Sequence, residues 1–323
     1  MTRKISGPPT EFNRHRACEP HTRTSGTQKG YVMILVTGAS GTVGRPVLGE
    51  VVKTGKPVKA MYRSAEDARS APAGVATVIA DFADRASLAN ALKGVDAIYL
   101  VCSPIPQLVE LESNVIDACK QAGVAYLALN SALGAGDYPK SFPSWHRKVE
   151  DKLKASGLQY TIFRPNSFMQ NIAAYNAPSI RAQGAFYSAM GDAKLSLIDV
   201  RDIAAIVAKV LSNPAAFAGE TIELNGPEAF SCTEIAAKIS RAAGRTVQFV
   251  NIPEAAQGKA MLDLGMPEWQ VNALLELQQY YTVAGKGADV APPIKEFLGR
   301  APIKLDQYLN ENKDIFRSQA AGA

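Results

Sequence analysis

The stretch "MILVTGASGTVGRPVL", residues 33–48, decides the fold. Four apolar residues run into Gly38, Gly41 and Gly44, and an apolar pattern at helical spacing follows at once. A strand that turns on glycines straight into a helix is the opening of a βαβ unit. The spacing is GxxGxxG rather than GxGxxG, so its meaning rests on that context. Gly38 suits the tight turn, Gly41 lets backbone approach a pyrophosphate, and Gly44 allows the helix to pack closely on the sheet. The helix N-terminus offers free N–H donors and the positive end of its dipole to phosphates. Ser40, Thr42 and Val43 complete the expected phosphate cradle; the alternative is a glycine-rich turn without a ligand.

Outward from this stretch the alternation continues. Apolar runs "PVKAMYR", "VATVIAD", "DAIYLVC", "VAYLALN" and "QYTIFRP" recur roughly every 20–30 residues, the spacing of βαβ units. Amphipathic segments such as "RASLANALKG" and "LVELESNVIDACKQAG" separate them. Near-continuous apolar strands belong to a parallel sheet covered on both faces. The predicted fold class is therefore α/β, a Rossmann-type doubly wound parallel sheet, with residues 33–165 as its dinucleotide-binding core. Residues 166–316 carry the remaining sheet elements, interleaved with a smaller, mostly helical C-terminal lobe over the sheet edge where such folds bind substrate. Residues 317–323 are a tail. In "IDVRDIAAIVAKVLSNP", Asp199 or Asp202 caps a helix and forms a structural cluster with Arg201. Ser231 and Glu234 have capping-box spacing.

The totals narrow the function. A chain of 323 residues suffices for one large α/β domain, and 47% apolar with 20% charged residues is ordinary for a soluble protein. No run approaches the ~18 apolar residues that span a bilayer, and a cytoplasmic location is expected. Of the net charge of +5, residues 1–32 hold +4, six Lys or Arg against two Glu. The remainder is nearly neutral and lacks the basic stripe that nucleic acid requires. Those first residues show no periodicity and no apolar leader, so they are expected to be disordered. An Arg-rich transit peptide, or translation starting at Met33, would account for them. Cys18, Cys102, Cys119 and Cys232 include no CxxC pair and fit a reducing compartment, with Cys102 and Cys119 expected as small buried hydrophobes. The histidines are His15, His21 and His146, and no metal site is expected.

The second strand bears on which dinucleotide binds. NAD sites carry an acid about 20 residues after the loop to hold the ribose 2′-OH. Here the strand ends Tyr62, Arg63, Ser64, with no acid before Glu66. A guanidinium pairs with a 2′-phosphate in fork geometry, so Arg63 points to NADP(H), the alternative being a solvated surface arginine. Asp81 and Phe82 end the third strand within reach of an adenine, and Ser103 ends the fourth. Each reads equally well as a turn residue.

Together these pieces resemble the NmrA-like atypical short-chain dehydrogenase/reductases. The resemblance rests on "TGASGTVG", "MYRS", "DFADRASL", "HRKVEDKLKASGLQYTIFRPNSFMQN", "IDVRDIA" and "GRAPIKLDQYL", and spans nearly all of residues 33–316. The segment "GMPEWQVNALLELQQYY" is most similar to the triphenylmethane-reductase, quinone-reductase and azoreductase subgroup. The resemblance implies a Rossmann domain, NADP(H), and a small lobe forming a substrate cleft. It implies Ser131 as the active-site serine, with Pro165 and Asn166 beside the nicotinamide. Aligned on Glu150, however, the Tyr-x-x-x-Lys pair of active short-chain reductases falls on Phe142 and His146. Phe142 cannot donate a proton, and Tyr138 is a candidate replacement through a loop shift.

Without that tyrosine, reducing a simple ketone is disfavoured, because an alkoxide needs a positioned acid. A quinone, an azo bond or a triarylmethane cation delocalises the incoming electrons, so proximity and orientation suffice. His146 can assist as a hydrogen-bond donor or a proton source near neutral pH. With Val149, Glu150 and Leu153 it occupies one helical face turned to the sheet; alternatively it is a structural partner of Glu150 four residues on. Phe168, Met169 and Tyr175 are expected to line an aromatic acceptor pocket with Tyr138, or else to be ordinary core. The leading reading is an NADPH-dependent oxidoreductase, monomer or homodimer, acting on a small aromatic acceptor without a Tyr-x-x-x-Lys pair. The alternatives are an NADP(H)-binding redox sensor with little or no catalysis and a protein partner, or a structural subunit of a complex.

Overall fold

The computed structural model describes residues 33–290 and 297–317. The expectations for residues 1–32, including Cys18, His15 and His21, and for tail residues 318–323 lie outside the described residues. Among the described residues eleven strands run in chain order. They are β1 (Ile34–Val36), β2 (Val58–Tyr62), β3 (Ala76–Ile79), β4 (Ala97–Leu100), β5 (Tyr126–Asn130) and β6 (Gln159–Pro165), then β7 (Ala185–Ser188), β8 (Lys194–Leu195), β9 (Thr221–Leu224), β10 (Phe230–Ser231) and β11 (Gln248–Asn251). Seven of them form an all-parallel sheet in the order β3-β2-β1-β4-β5-β6-β9.

The chain builds outward from β1 to β3 and then crosses back to place β4 on the other side of β1. The order thus reverses between β1 and β4, and the crevice beyond the C-terminal ends of these strands is where such a sheet binds ligands. Val36 stands opposite Ala60 of β2 and Tyr99 of β4. Thr37 latches the switch point: its hydroxyl donates to the Tyr99 carbonyl at 3.0 Å and accepts from the Val101 N–H at 3.0 Å.

The helices are α1 (Gly44–Lys53), α2 (Ala65–Ala68), α3 (Arg85–Ala91), α4 (Leu108–Ala122), α5 (Ser141–Lys154), α6 (Ala177–Gln183), α7 (Val200–Ser212), α8 (Cys232–Ala243), α9 (Glu254–Asp263), α10 (Glu268–Thr282) and α11 (Leu305–Glu311). Helices α1 and α7 bury their apolar faces with Ile34 and Val36 on one side of the sheet. Helices α3, α4 and α5 pack with Leu35, Ile98 and Leu129 on the other. Both faces of β1 are covered, which is why it reads as an unbroken apolar run rather than an alternation. The predicted doubly wound α/β sheet is the observed one.

A third core, with Met169, Ile180, Phe186, Ile239 and Phe316, belongs to the lobe that follows β6. The lobe holds two small sheets, β8 with β10 antiparallel and β7 with β11 parallel. The expectation of a mostly helical lobe passed over "AFYS" and "QFVN", short strands whose partners lie far along the chain. Asp199 caps α7 by accepting from the Arg201 N–H at 2.9 Å. Asp202 accepts from the Ile303 N–H at 2.8 Å and pairs with Arg300 at 2.6 Å, tying the C-terminal segment to α7. The capping box of Ser231 and Glu234 opens α8. Among the described residues no helix is long and apolar enough to cross a membrane.

Candidate functional site

The loop from Gly38 to Gly44 has the shape a pyrophosphate needs. Gly38 lies at φ +57°, a left-handed conformation that side chains disfavour. The Gly41 N–H donates to the Gly38 carbonyl at 2.8 Å and closes the turn. Gly44 passes so close beneath it that a Cβ would stand 2.1 Å from the Gly38 oxygen. Val43 puts no side-chain cap on α1; the Arg45 N–H returns to the Gly41 carbonyl at 3.1 Å and Pro46 has none, so in the first turn of α1 the Gly44 N–H is left to an outside acceptor. Ser40, Gly41 and Thr42 are exposed, whereas Val43 is buried in the core and offers only its backbone. The cradle fits a dinucleotide.

The strand order 3-2-1-4 brings the ends of β2, β3 and β4 around this loop. Arg63 follows β2 and is exposed. Asp81 accepts from the Ala83 N–H at 2.8 Å, and the Phe82 carbonyl accepts from Asn114 at 3.1 Å, so both also shape the turn into α3. Ser103 is exposed just past β4. Its neighbour Cys102 is half-buried rather than buried as expected, because it has already left the strand. Burial, helped by Glu112, pushes its thiol up to about 12.

Under the same sheet edge lies a buried polar cluster. His146, Val149, Glu150 and Leu153 share the inward face of α5, none more than 5% exposed. Glu150 does not pair with His146. It accepts from the Ser131 hydroxyl at 2.7 Å, from Arg164 Nε at 2.8 Å and Nη2 at 2.6 Å, and from Lys154 at 3.1 Å. Burial pushes the Glu150 carboxyl up, but Arg164, Ser131 and Lys154 outweigh it and hold the group below its ordinary value. Room for the guanidinium comes from Gly136, where a Cβ would stand 2.6 Å from Arg164 Nη1. Ser131 thus gives its proton to Glu150, which leaves its oxygen as an acceptor.

His146 differs from its expected state. Burial pushes the imidazole down to about 4, against an opposing pull from Glu150, and its Nδ1 is buried without a partner. It is neutral at pH 7 and no proton source there. Phe142, at the position of the missing tyrosine, packs edge-on against Trp145 with ring centroids 5.3 Å apart.

The expected acceptor pocket is not assembled as read. Met169 is 1% exposed in the lobe core, Phe168 packs against the sheet core, and Tyr175 is 57% exposed. Tyr138 donates its hydroxyl to the Glu276 carbonyl at 2.7 Å and rests on Tyr280, so its proton is committed to docking α10. Pro165 ends β6 opposite Leu224. Asn166 donates to Asn225 at 3.0 Å and to the Gly287 carbonyl at 2.9 Å. The residues flanking Gly287, Lys286 and Ala288, help line a cavity of about 430 Å³ with Met190, Lys194, Asn251 and Tyr281. Among the described residues no group of His, Cys, Asp or Glu comes together to hold a metal. The sequence reading missed Arg164 and the role of Glu150; a charged residue inside the apolar run "TIFRP" was the available signal.

Known proteins are similar to this chain in sequence and fold. The profile of the NmrA-like family matches residues 31–312. The NAD(P)H azoreductase of Xenophilus azovorans is 37% identical over 247 residues, which cover 76% of this chain and 86% of that protein. The NADPH-dependent quinone oxidoreductase of Escherichia coli, solved with NADPH, superposes with a TM-score of 0.80 at 30% identity, covering 87% of this chain and 99% of that one. The triphenylmethane reductase of Citrobacter shares the fold, with a TM-score of 0.78 at 19% identity over 88% of this chain and 100% of that one. The family resemblance read from the motifs is borne out, and the chain belongs to the NmrA-like family.

Proposed function

We propose that this chain is an NADPH-dependent oxidoreductase acting on a small aromatic acceptor of the quinone, azo or triarylmethane type. The observation that carries the proposal is the glycine cradle, where only a hydrogen fits between Gly44 and the Gly38 oxygen. The azoreductase and quinone-oxidoreductase relatives support it. Gly38 to Gly44 would hold the pyrophosphate, with the uncapped end of α1 neutralising charge. Arg63 would hold the 2′-phosphate and favour NADPH over NADH. When bound, that cofactor supplies the hydride.

The chain's own residues then position and do not protonate strongly. Ser131, fixed by Glu150, presents a hydroxyl oxygen, and His146 presents a neutral imidazole. Neither is a strong acid, and Phe142 supplies none. Such a site suits acceptors that spread incoming charge over a conjugated system and take their proton from water.

The test is turnover, followed by loss of the reduced nicotinamide's absorbance, with a quinone, an azo dye and a triarylmethane dye, each with NADPH and with NADH. Turnover is expected with NADPH, with NADH needing about tenfold higher concentration for want of the phosphate contact. Tight NADPH binding without turnover on any acceptor overturns the enzyme reading. It would favour a redox sensor, the reading to which Phe142 in place of a tyrosine lends support.

A further inference from the structure

The segment after α10 is strapped across the end of β6. The Gly287 carbonyl accepts from Asn166 Nδ2 at 2.9 Å and from the Ser196 N–H at 2.8 Å. Gly287 lies at φ +88°, and a Cβ there would stand 2.6 Å from the Tyr281 ring and 3.3 Å from Leu195 Cδ2. A side chain at this position would force the strap away from α10 and β8. Lys286 and Ala288, on either side of the contact, line the cavity of about 430 Å³. The cavity thus adjoins the C-terminal end of β6, the edge of the sheet on which such folds bind ligands.

Its lining divides by chemistry. Met190 is buried in the lobe core and Tyr281 packs against that core, which gives the cavity an apolar, aromatic floor. Burial pushes the Tyr281 phenol up, so its hydroxyl stays a neutral donor. Lys194, from β8, and Lys286, from the strap, are exposed. Lys194 stands 3.3 Å from Glu234 and Lys286 3.7 Å from Asp137, in pairs whose side chains are 44–56% exposed. Pairs so open to water contribute little, so each ammonium can be shared with a further anion at small cost. Against these two cations the lining sets one acid, the exposed Asp192. Asn251 accepts from the Gly191 N–H at 2.9 Å and fixes the loop ahead of Lys194. A floor that takes a ring, with two cations at its rim, suits an aromatic molecule bearing negative charge.

Resting on the oxidoreductase reading above, we propose that this cavity is the acceptor subsite, with Lys194 and Lys286 as specificity-determining residues that select quinones carrying a sulfonate or carboxylate and disfavour triarylmethane cations. Met190 and Tyr281 take the ring, in place of the Phe168, Met169 and Tyr175 set that the fold disperses. The quinone gains a hydride from NADPH and one proton from water, leaving a hydroquinone and NADP+. The lysines take no part in that transfer; they hold the acidic substituent, and their attraction is screened by salt because both are exposed.

The experiment measures kcat and KM of the full chain with NADPH for a naphthoquinone sulfonate, the unsubstituted naphthoquinone and a triarylmethane cation. The preference for the sulfonate, read as the ratio of the two quinones' kcat/KM, is expected to fall about tenfold in the double variant Lys194→Gln with Lys286→Gln, through KM rather than kcat. Charge reversal, Lys194→Glu with Lys286→Glu, should raise kcat/KM for the triarylmethane cation about tenfold, a gain that misfolding cannot imitate. In the wild type, which needs no variant, the preference should shrink at least threefold between about 0.05 M and about 0.5 M salt. A preference that neither the substitutions nor salt move overturns the proposal. Turnover of both quinones without any preference also overturns it, yet leaves the oxidoreductase reading standing. No turnover on any of the three removes that reading itself, and the proposal with it.

Discussion

The 38–44 loop is exposed at Gly38, Ser40, Gly41 and Thr42 and takes its shape from its glycines, whereas a short way along the same sheet edge the Glu150–Arg164 ion pair is buried, with Ser131 bonded to its carboxylate. The loop bonds some of its N–H groups to itself, Gly41 to the Gly38 carbonyl, and leaves the end of α1 without a side-chain cap, so its tight turn serves binding. The cluster works by using every group, so it holds β5, β6 and α5 together and can touch a ligand only through the Ser131 oxygen. Damage to the first should appear as lost affinity, and damage to the second as lost stability.

The largest effect tests the cluster. Arg164→Met strands a buried carboxylate and should lower unfolding free energy by about 3–5 kcal/mol in a denaturant titration. Glu150→Met with Arg164→Met removes both charges and should recover more than half of that loss, because two desolvation costs vanish with the one attraction. A double variant as unstable as the single one would show that the pair is worth more than its burial costs.

His146 gives the next effect. Its folded value, about 4, lies below its ordinary 6.5. The unfolded chain therefore binds the proton first, and stability is lost as pH falls from 6.5 towards 4. The loss approaches about 3 kcal/mol, and His146→Leu should abolish it. Glu150, held low, loses its contribution only at more acid pH, and Glu112 on α4, raised by burial, has the opposite sign and loses stability as pH rises. A wild-type and a Leu variant with parallel melting profiles between pH 6.5 and 4 would place His146 in a wetter site than its burial implies.

The loop tests follow. Gly44→Ala forces a methyl group onto the Gly38 carbonyl, which should cost about 1–3 kcal/mol of stability and abolish NADPH binding in a fluorescence titration. Smallest is Arg63→Ala, expected to weaken NADPH about tenfold, roughly 1.4 kcal/mol, and leave NADH unaffected. Equal losses for both cofactors would move Arg63 from specificity to structure.

Much of this comparison is legible in the residues. "MILVTGASGTVG" shows its strand, turn and helix because each is a local pattern, and the close contacts of Gly41 and Gly44 fall within the turn itself, although Gly38 is also pressed by Val101 beyond β4. The inward face of α5 is equally readable from spacing. What spacing misled was the choice of partner: Glu150 stands four residues from His146 and invites a helical pair, yet it bonds Arg164 on β6. Phe168, Met169 and Tyr175 are neighbours in sequence that the turn after β6 sends to three environments.

The sequence by itself determined the doubly wound sheet, the order of its elements, the glycine cradle, the caps of α7 and α8, and the absence of a proton-donating side chain at residue 142. All of these follow from periodicity or from contacts a few residues apart. Only the tertiary structure decided that Arg164 meets Glu150, that Ser131 gives its proton inward, that His146 is neutral, and that Lys194 and Lys286 line one cavity. Those outcomes depend on how strands and helices distant in the chain register against each other, and on the low dielectric created when they close over a charge.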